Sequence, residues 1–302
     1  MITWVVGRGG LLGSAVARHC GREYLPGPVP WSDPENAREA LHAHARGLEI
    51  AADGGDWRVI WAAGASTTST PRDMAMAELV PFEGLLSGLR SALPHGRGSV
   101  FVASSAGGVY AGSFPPPFDI RSETVPLSPY GELKLAQEQL AHEVLGPVVP
   151  VAIGRISNLY GPGQNLDKLQ GLVSRLALSA VTQQPINIFV PLETIRDYIY
   201  VDDAAREALR AADRARERGS STTQVVASGQ PATVGQLIRT MNLVARRRVP
   251  VALGSHASAA AQSADLRLVP TTVPEQLTTL PAGMKAVYTD ILTRMQQSSL
   301  AG

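Results

Sequence analysis

The stretch Ile2-Thr-Trp-Val-Val-Gly7-Arg-Gly-Gly10-Leu-Leu-Gly13-Ser-Ala decides the fold. An apolar strand runs into a glycine turn, and a helical pattern starts at Leu11. Glycine at position 7 permits the tight turn, at 10 it lets the backbone approach a pyrophosphate, and at 13 it lets helix and strand pack closely. The helix start offers free N–H groups and a positive dipole end to phosphates. Three glycines prove little in a chain that has 29 of them. Their position directly after an apolar strand at the head of the chain gives them their meaning.

The same alternation continues through the first half. Strand-like runs at Trp57–Ala62, Ser99–Ala103 and Val148–Ile153, and a weaker one at Val29–Trp31, alternate with helical patterns at Leu11–Gly21, Glu35–Arg46, Asp73–Leu93 and Pro129–Leu145. Several runs are apolar throughout, as strands covered on both faces are. The pattern predicts an α/β fold with a Rossmann-type, doubly wound parallel sheet. Beyond Gly161 it loosens into a helix near Lys168–Ala180, strands near Ile186–Val190 and Tyr198–Val201, a helix from Asp202, and a helix–strand–helix tail from Val234. A dinucleotide-binding domain over 1–165, with 187–230 returning to it, and a smaller substrate domain from 166–186 and 231–302 are expected. The proline-rich loop Gly112–Pro129 is expected to border a site.

Composition narrows the partners. The 302 residues carry a formal charge of +1, so no polyanion such as nucleic acid is expected. The basic run Arg246–Arg248 reads as a solvated helix end. Cys20, the single cysteine, excludes an internal disulfide and a Cys-rich zinc site and reads as a packing residue. His42 and His44, at i and i+2 on a helix, point to different faces and read as exposed; no metal is expected. No signal-peptide pattern opens the chain and no apolar run reaches the roughly 20 residues of a membrane span, so a cytoplasmic protein is the expectation.

The cofactor alternatives stay open. An NAD site places an acidic residue at the end of the second strand; here Ser32 takes that place and Asp33 follows one position late. Arg8, inside the turn, is positioned to face a 2′-phosphate instead, so NAD and NADP are both candidates.

Tyr130-Gly-Glu-Leu-Lys134 puts a phenol and an ammonium on one helix face. The ammonium is expected to lower the phenol pKa and make Tyr130 an acid/base. With the glycine turn, Ser104-Ser105-Ala-Gly-Gly-Val-Tyr110, Ser128-Pro-Tyr130, Arg155-Ile-Ser-Asn158-Leu-Tyr-Gly161 and Arg196-Asp197-Tyr-Ile-Tyr-Val-Asp202-Asp203, the chain resembles the extended short-chain dehydrogenase/reductases, in their sugar-nucleotide epimerase/dehydratase branch. The resemblance covers about Met1–Leu209.

That resemblance implies Tyr130, Lys134 and Ser105 as the catalytic group. It implies cofactor contacts from Gly7, Arg8, Gly10, Leu11 and Leu12 in the turn, and from Ser32 and Asp33. It adds Ala62, Ala63 and Gly64 after the third strand, then Ser104, Tyr130, Lys134 and Ile156. Asn158 and Arg196, with Ser105 and Ala106, would hold the substrate, a nucleoside-diphosphate sugar. Two departures stand out: Ala106 occupies the place of the catalytic Ser or Thr, and the helix Asp73–Leu93 has Glu83 about where an Asn is usual. Asp202 and Asp203 read as helix caps. A 4-epimerase is the leading expectation; an NADPH-dependent 4-ketoreductase and a non-catalytic dinucleotide-binding protein are the alternatives. A homodimer through the helices Asp73–Leu93 and Tyr130–Leu145 is also implied.

Overall fold

The computed structural model describes residues 1–92, 96–166, 171–254, 263–273 and 276–300, the last three without side chains. In the first half, β1 (Ile2–Val6) is followed by α1 (Leu11–His19), β2 (Glu23–Tyr24), α2 (Pro34–Ala52) and β3 (Trp57–Trp61). Then come α3 (Arg72–Met76), α4 (Leu79–Ala92), β4 (Gly98–Ser105), α5 (Ala106–Val109), α6 (Pro129–Val144) and β5 (Val151–Ile156).

Two expectations are corrected here. No strand forms at Val29–Trp31, because Pro28 and Pro30 remove backbone donors; the second strand is the Glu23–Tyr24 pair, in register with Thr3 and Trp4. Ser32 and Asp33 therefore do not end a strand. Asp33 instead caps α2, accepting from Glu35 N and Asn36 N at 3.1 Å each, with Pro34 at the first helical position. The single helix expected over Asp73–Leu93 is broken between Met76 and Leu79. Pro81 lacks an N–H, which the first turn of a new helix tolerates and the interior of a continuous one does not; Leu93 lies outside the described residues.

The second half contains β6 (Asn158–Tyr160), α7 (Leu172–Thr182), β7 (Ile186–Ile188), β8 (Ile195–Tyr200), α8 (Val201–Arg218) and β9 (Thr222–Val226). It closes with β10 (Pro231–Thr233), α9 (Val234–Ala245), β11 (Val251–Leu253), β12 (Asp265–Leu266) and α10 (Leu280–Leu300). Lys168, the expected start of α7, lies outside the described residues.

Six parallel strands form the central sheet in the order β2-β1-β3-β4-β5-β9. The strand order reverses at β1/β3, and the cleft at the strand ends there is where doubly wound sheets bind ligands. One face is buried under α1 and α8 through Leu12, Val16, Ala204 and Ala208, and Cys20 packs in this layer as expected. The other lies under α2, α4 and α6 through Leu41, Phe82, Leu85 and Ala141. Helices α2 and α4 cross closely: a Cβ on Gly84 would lie 2.3 Å from the Arg38 carbonyl oxygen, and one on Gly88 2.7 Å from the His42 Cα. His42 and His44 are accordingly half-buried rather than exposed. His42 meets Ser87 Oγ at 3.3 Å, and His44 packs edge-on against Trp4.

A separate apolar cluster joins α7, α9 and α10 through Leu176, Leu237, Met241, Met284 and Ile291. A fourth ties α5 to Phe118, Leu266 and Leu268. The proline loop is fixed there, with Phe118 N donating to the Arg267 carbonyl (2.8 Å) and Val269 N to the Phe118 carbonyl (2.9 Å). Asp202 and Asp203 lie in the first turn of α8 but do not cap it. Asp202 takes Arg18 (2.7 Å) and His19 (3.0 Å) of α1, while buried Asp203 accepts from Thr278 N at 2.8 Å.

Candidate active site

The glycine turn leaves β1 at Gly7, whose φ of +88° belongs to the left-handed region. A side chain there would meet the Ala63 nitrogen at 2.5 Å, and one at Gly13 would meet the Gly7 carbonyl oxygen at 2.1 Å. At Gly9 nothing lies within 4 Å of where a Cβ would stand, so the turn opens onto free space. Helix α1, starting with Leu11 and Leu12, has no side-chain cap and no acidic residue in its first turn. Its end is left for an anion. A cleft runs from this turn, lined by Gly7, Arg8 and Gly9 on one side and by Tyr24, Gly27 and Trp31 on the other. The backbone cradle and uncapped helix end fit a dinucleotide.

Arg8 does not stand free in that cleft. Its Nε lies 2.9 and 3.1 Å from the two carboxylate oxygens of Glu23. Ala62 is bound to the turn strand through its N–H (2.9 Å to the Val6 carbonyl), which sets Ala62 and Ala63 beside Gly7, with Gly64 following.

Gly64 lies against α6, the point where a Cβ would stand being 3.8 Å from Lys134 Nζ. Ser128 caps this helix, its Oγ accepting from Gly131 N at 3.3 Å, and Pro129 occupies the first helical position. Lys134 is buried, its ammonium donating to the Ala103 carbonyl (3.2 Å) and Gln137 Oε1 (3.0 Å), and it lies 5.8 Å from the centre of the Tyr130 ring. The Tyr130 ring rests on Gly108, where a Cβ would come within 3.2 Å of it.

Ser105, and not Ala106, brings a hydroxyl to bear on the phenol: the Ser105 side chain favours ionisation of Tyr130. Ser105 also caps α5 through Gly108 N at 3.1 Å, whereas Ala106 is wholly buried. The hydroxyl that bears on the phenol thus comes from position 105. The expected lowering of the phenol pKa is not found. Burial raises it, the Ser105 hydroxyl lowers it and the Glu78 charge raises it, for a net rise; burial lowers that of Lys134.

Ser104 is bound elsewhere. Its hydroxyl donates to Glu138 Oε1 at 2.5 Å, and Arg155 closes the network with Nη2 to Glu138 Oε2 (2.7 Å) and Nη1 to the Tyr110 hydroxyl (2.8 Å). Ile156, at the end of β5, is a buried member of the layer under α8.

Asn158 Nδ2 donates to the Asp197 carbonyl at 3.1 Å. Arg196 is buried, yet the one hydrogen bond of its guanidinium among the described residues runs to the carbonyl of Ile195 (2.8 Å), and it makes no ion pair there. Burial pushes its pKa down, against the pull of Tyr198 and Asp265, and Asp265 is itself held by Arg267 at 2.8 Å. A buried guanidinium without a carboxylate is poised for an anion. Its register partner is Leu266, whose Cδ2 would stand 3.6 Å from a Cβ on Gly107, two residues from Ser105.

Glu78, Gln137 and the Glu138–Arg155 pair were missed. Gln137 and Glu138 follow Lys134 by three and four residues, a spacing that would have revealed them. Glu83, read as the residue replacing an Asn, is exposed; the carboxylate facing the site is that of Glu78. Among the described residues no group of three or more His, Cys, Asp or Glu is placed for a metal, and no helix is long and apolar enough to cross a membrane.

The NAD dependent epimerase/dehydratase family matches residues 3–227. The chain belongs to this family. Two curated proteins similar to it are the dTDP-4-dehydro-6-deoxyglucose reductase of Escherichia coli, 29% identical over 52% of this chain and 49% of that one, and the dTDP-L-rhamnose 4-epimerase of Burkholderia thailandensis, 32% identical over 39% and 33%. The matches thus span half or less of these relatives. Among solved structures, the Thermotoga maritima UDP-glucose 4-epimerase with UDP-glucose superimposes with a TM-score of 0.77 at 20% identity, covering 98% of this chain and 100% of that one. The Bacillus cereus UDP-glucuronic acid 4-epimerase, a complex with NAD, gives 0.77 at 19%, covering 97% and 100%. The chain shares with these structures the Rossmann-type parallel sheet.

Proposed function

We propose that this protein modifies a nucleoside-diphosphate sugar by transient hydride transfer at C4, as a 4-epimerase. The observation carrying this reading is the meeting of Ser105, Tyr130 and Lys134 beside the glycine turn. Tyr130 takes the proton of the C4 hydroxyl and later returns it, and Ser105 orients that oxygen. Lys134, held by Ala103 and Gln137, keeps a positive charge beside the phenol and would bind the nicotinamide ribose. A nicotinamide dinucleotide on Gly7, Gly10 and the start of α1 would supply the hydride acceptor and donor. Arg196, with no ion-pair partner among the described residues, would take the diphosphate, with Asn158 beside it, and the body formed by α7, α9 and α10 would enclose the sugar nucleotide.

The deciding experiment identifies the nucleotide released when the purified protein is denatured and assays epimerisation without added cofactor. Bound NAD and turnover are expected, with Tyr130→Phe inactive; intact turnover in Tyr130→Phe would sink the mechanism.

A second reading, an NADPH-dependent 4-ketoreductase, is favoured by one observation. The adenosine end of the cleft holds Arg8 but no free carboxylate, since Glu23 is bound to Arg8 and Asp33 to α2. Stoichiometric NADPH consumption with a 4-keto sugar would select it. A Ser105 hydroxyl bearing on Tyr130 speaks against the non-catalytic reading that Ala106 kept open. A homodimer through α4 and α6 also belongs to the proposal. Their exposed residues include Glu83, Ser87 and Arg90 on α4 and Gln139 and Glu143 on α6, so the contact would be polar, and light scattering at varied salt tests it.

A further inference from the structure

Glu78 lies in the break between α3 and α4, far in sequence from the helix that carries Tyr130. Its two carboxylate oxygens have different surroundings. Oε1 accepts three hydrogen bonds, from Ala65 N (2.9 Å), Ser66 N (2.7 Å) and Ser66 Oγ (2.7 Å). Oε2 shares none of these and lies beside Gly64. The point where a Cβ on Gly64 would stand is 3.3 Å from Glu78 Oε2 and 3.8 Å from Lys134 Nζ. A carboxylate oxygen and a buried ammonium thus face each other across a residue that has no side chain. Two of the three ammonium donors go to neutral oxygens, Ala103 O and Gln137 Oε1.

We propose that Glu78 is a positioning residue, the fixed counter-charge of the Tyr130–Lys134 pair, which keeps the resting site's proton on the Tyr130 hydroxyl. The charge balance is simple. With a neutral phenol, Lys134 and Glu78 sum to zero; a phenolate would set two negative groups against one ammonium. The resting site is therefore poised to donate a proton to a carbonyl oxygen, and it would take one up only when a bound dinucleotide added positive charge. This deepens the hydride-transfer reading and rests on it.

The other charged groups facing the pair do not change the balance. On α6, Glu138 is matched by Arg155 (2.7 Å) and Glu132 by Arg72. The turn from β4 into α5 offers only the Ser105 hydroxyl. The electrostatics agree: after burial, the Glu78 charge opposes ionisation of the phenol and, ahead of Glu138, supports the charge on Lys134.

The test is a titration of the protein without cofactor or substrate. Tyrosine labelled with 13C at Cζ gives one resonance per phenol, and Tyr130→Phe identifies the relevant one. Glu78→Gln keeps an acceptor for the 65–66 loop while removing the charge. It is expected to lower the Tyr130 midpoint by about one pH unit and leave the other tyrosines and the melting temperature unchanged. Lys134→Met, which removes the opposite charge, is expected to raise the midpoint and serves as the second variant should Glu78→Gln not fold. An unchanged midpoint in either folded variant overturns the proposal, as does an effect confined to Glu78→Ala, the signature of loop anchoring alone. No turnover enters this measurement, so its failure is distinct from failure to find a sugar-nucleotide activity.

Discussion

Arg155 grips Glu138 through two nitrogens, Nη2 to Oε2 at 2.7 Å and Nε to Oε1 at 3.1 Å, beneath the helix that carries Tyr130 and Lys134. Both side chains are largely excluded from solvent, and Ser104 and the Tyr110 hydroxyl complete the network. Arg155→Met would leave a buried carboxylate unpaired. A loss of about 3–5 kcal/mol in denaturant unfolding is expected. Arg155→Met/Glu138→Leu should recover much of it, because no charge is then stranded.

Ser105 and Ala106 make a paired prediction. Ser105→Ala removes the hydroxyl that bears on Tyr130 and should cut kcat by about 10–100-fold with little change in melting temperature. Ala106→Ser should not rescue it, since that side chain is packed at zero exposure. Steady-state kinetics of the two single variants and the double variant decide the matter.

Arg196 separates binding from stability. It has no ion-pair partner among the described residues, so Arg196→Met strands no carboxylate. The fold should hold, while affinity for a nucleoside diphosphate falls about 10–100-fold, as loss of charged hydrogen bonds implies. Calorimetric titration with UDP and with dTDP checks it; equal affinities in both proteins would remove Arg196 from the site.

The turn itself is unforgiving. A Cβ at Gly13 would lie 2.1 Å from the Gly7 carbonyl oxygen, and backbone is the atom it meets. Gly13→Ala should push α1 off β1, lower stability by roughly 1–3 kcal/mol and abolish dinucleotide binding measured by fluorescence quenching.

Acid sensitivity is expected at the junction of α1 and α8. Burial would raise the Asp202 pKa, but Arg18 and His19 outweigh it and hold the carboxyl below its ordinary value. A depressed folded-state pKa contributes stability that is present above the ordinary carboxylate range and lost as pH falls through the folded value. The difference in Tm between the wild type and Asp202→Asn should be steady near neutrality and shrink below about pH 4.

The elements written in local pattern were legible in the sequence. β1 is found at Ile2–Val6 as expected, and α6 within one residue, because an apolar run, a Ser-Pro cap and helical spacing are local signals. The second strand was misplaced because two residues paired in the sheet leave no periodicity, while Val29–Trp31 imitates a strand whose donors proline has removed. The Tyr130–Lys134 pair was visible for the same local reason. Glu78 was not: it reaches the site from a helix break more than fifty residues earlier, and only the folded loop at 64–66 brings it there. The pKa of Tyr130 was misjudged because spacing reports a neighbour's charge but not the loss of water around both groups.

The outer strands of the central sheet bear on how the protein behaves when crowded. At one side β2 offers only Glu23 and Tyr24, the first charged, with prolines at 26, 28 and 30 following. At the other, β9 is overlaid by Thr271, which donates its N–H to the Val225 carbonyl (3.1 Å) and accepts Val225 N on its hydroxyl (2.9 Å). Among the described residues, neither margin presents a long row of unpaired amides to a second molecule. A parallel sheet, slow to assemble from distant segments, is thereby guarded at both margins against edge-to-edge aggregation.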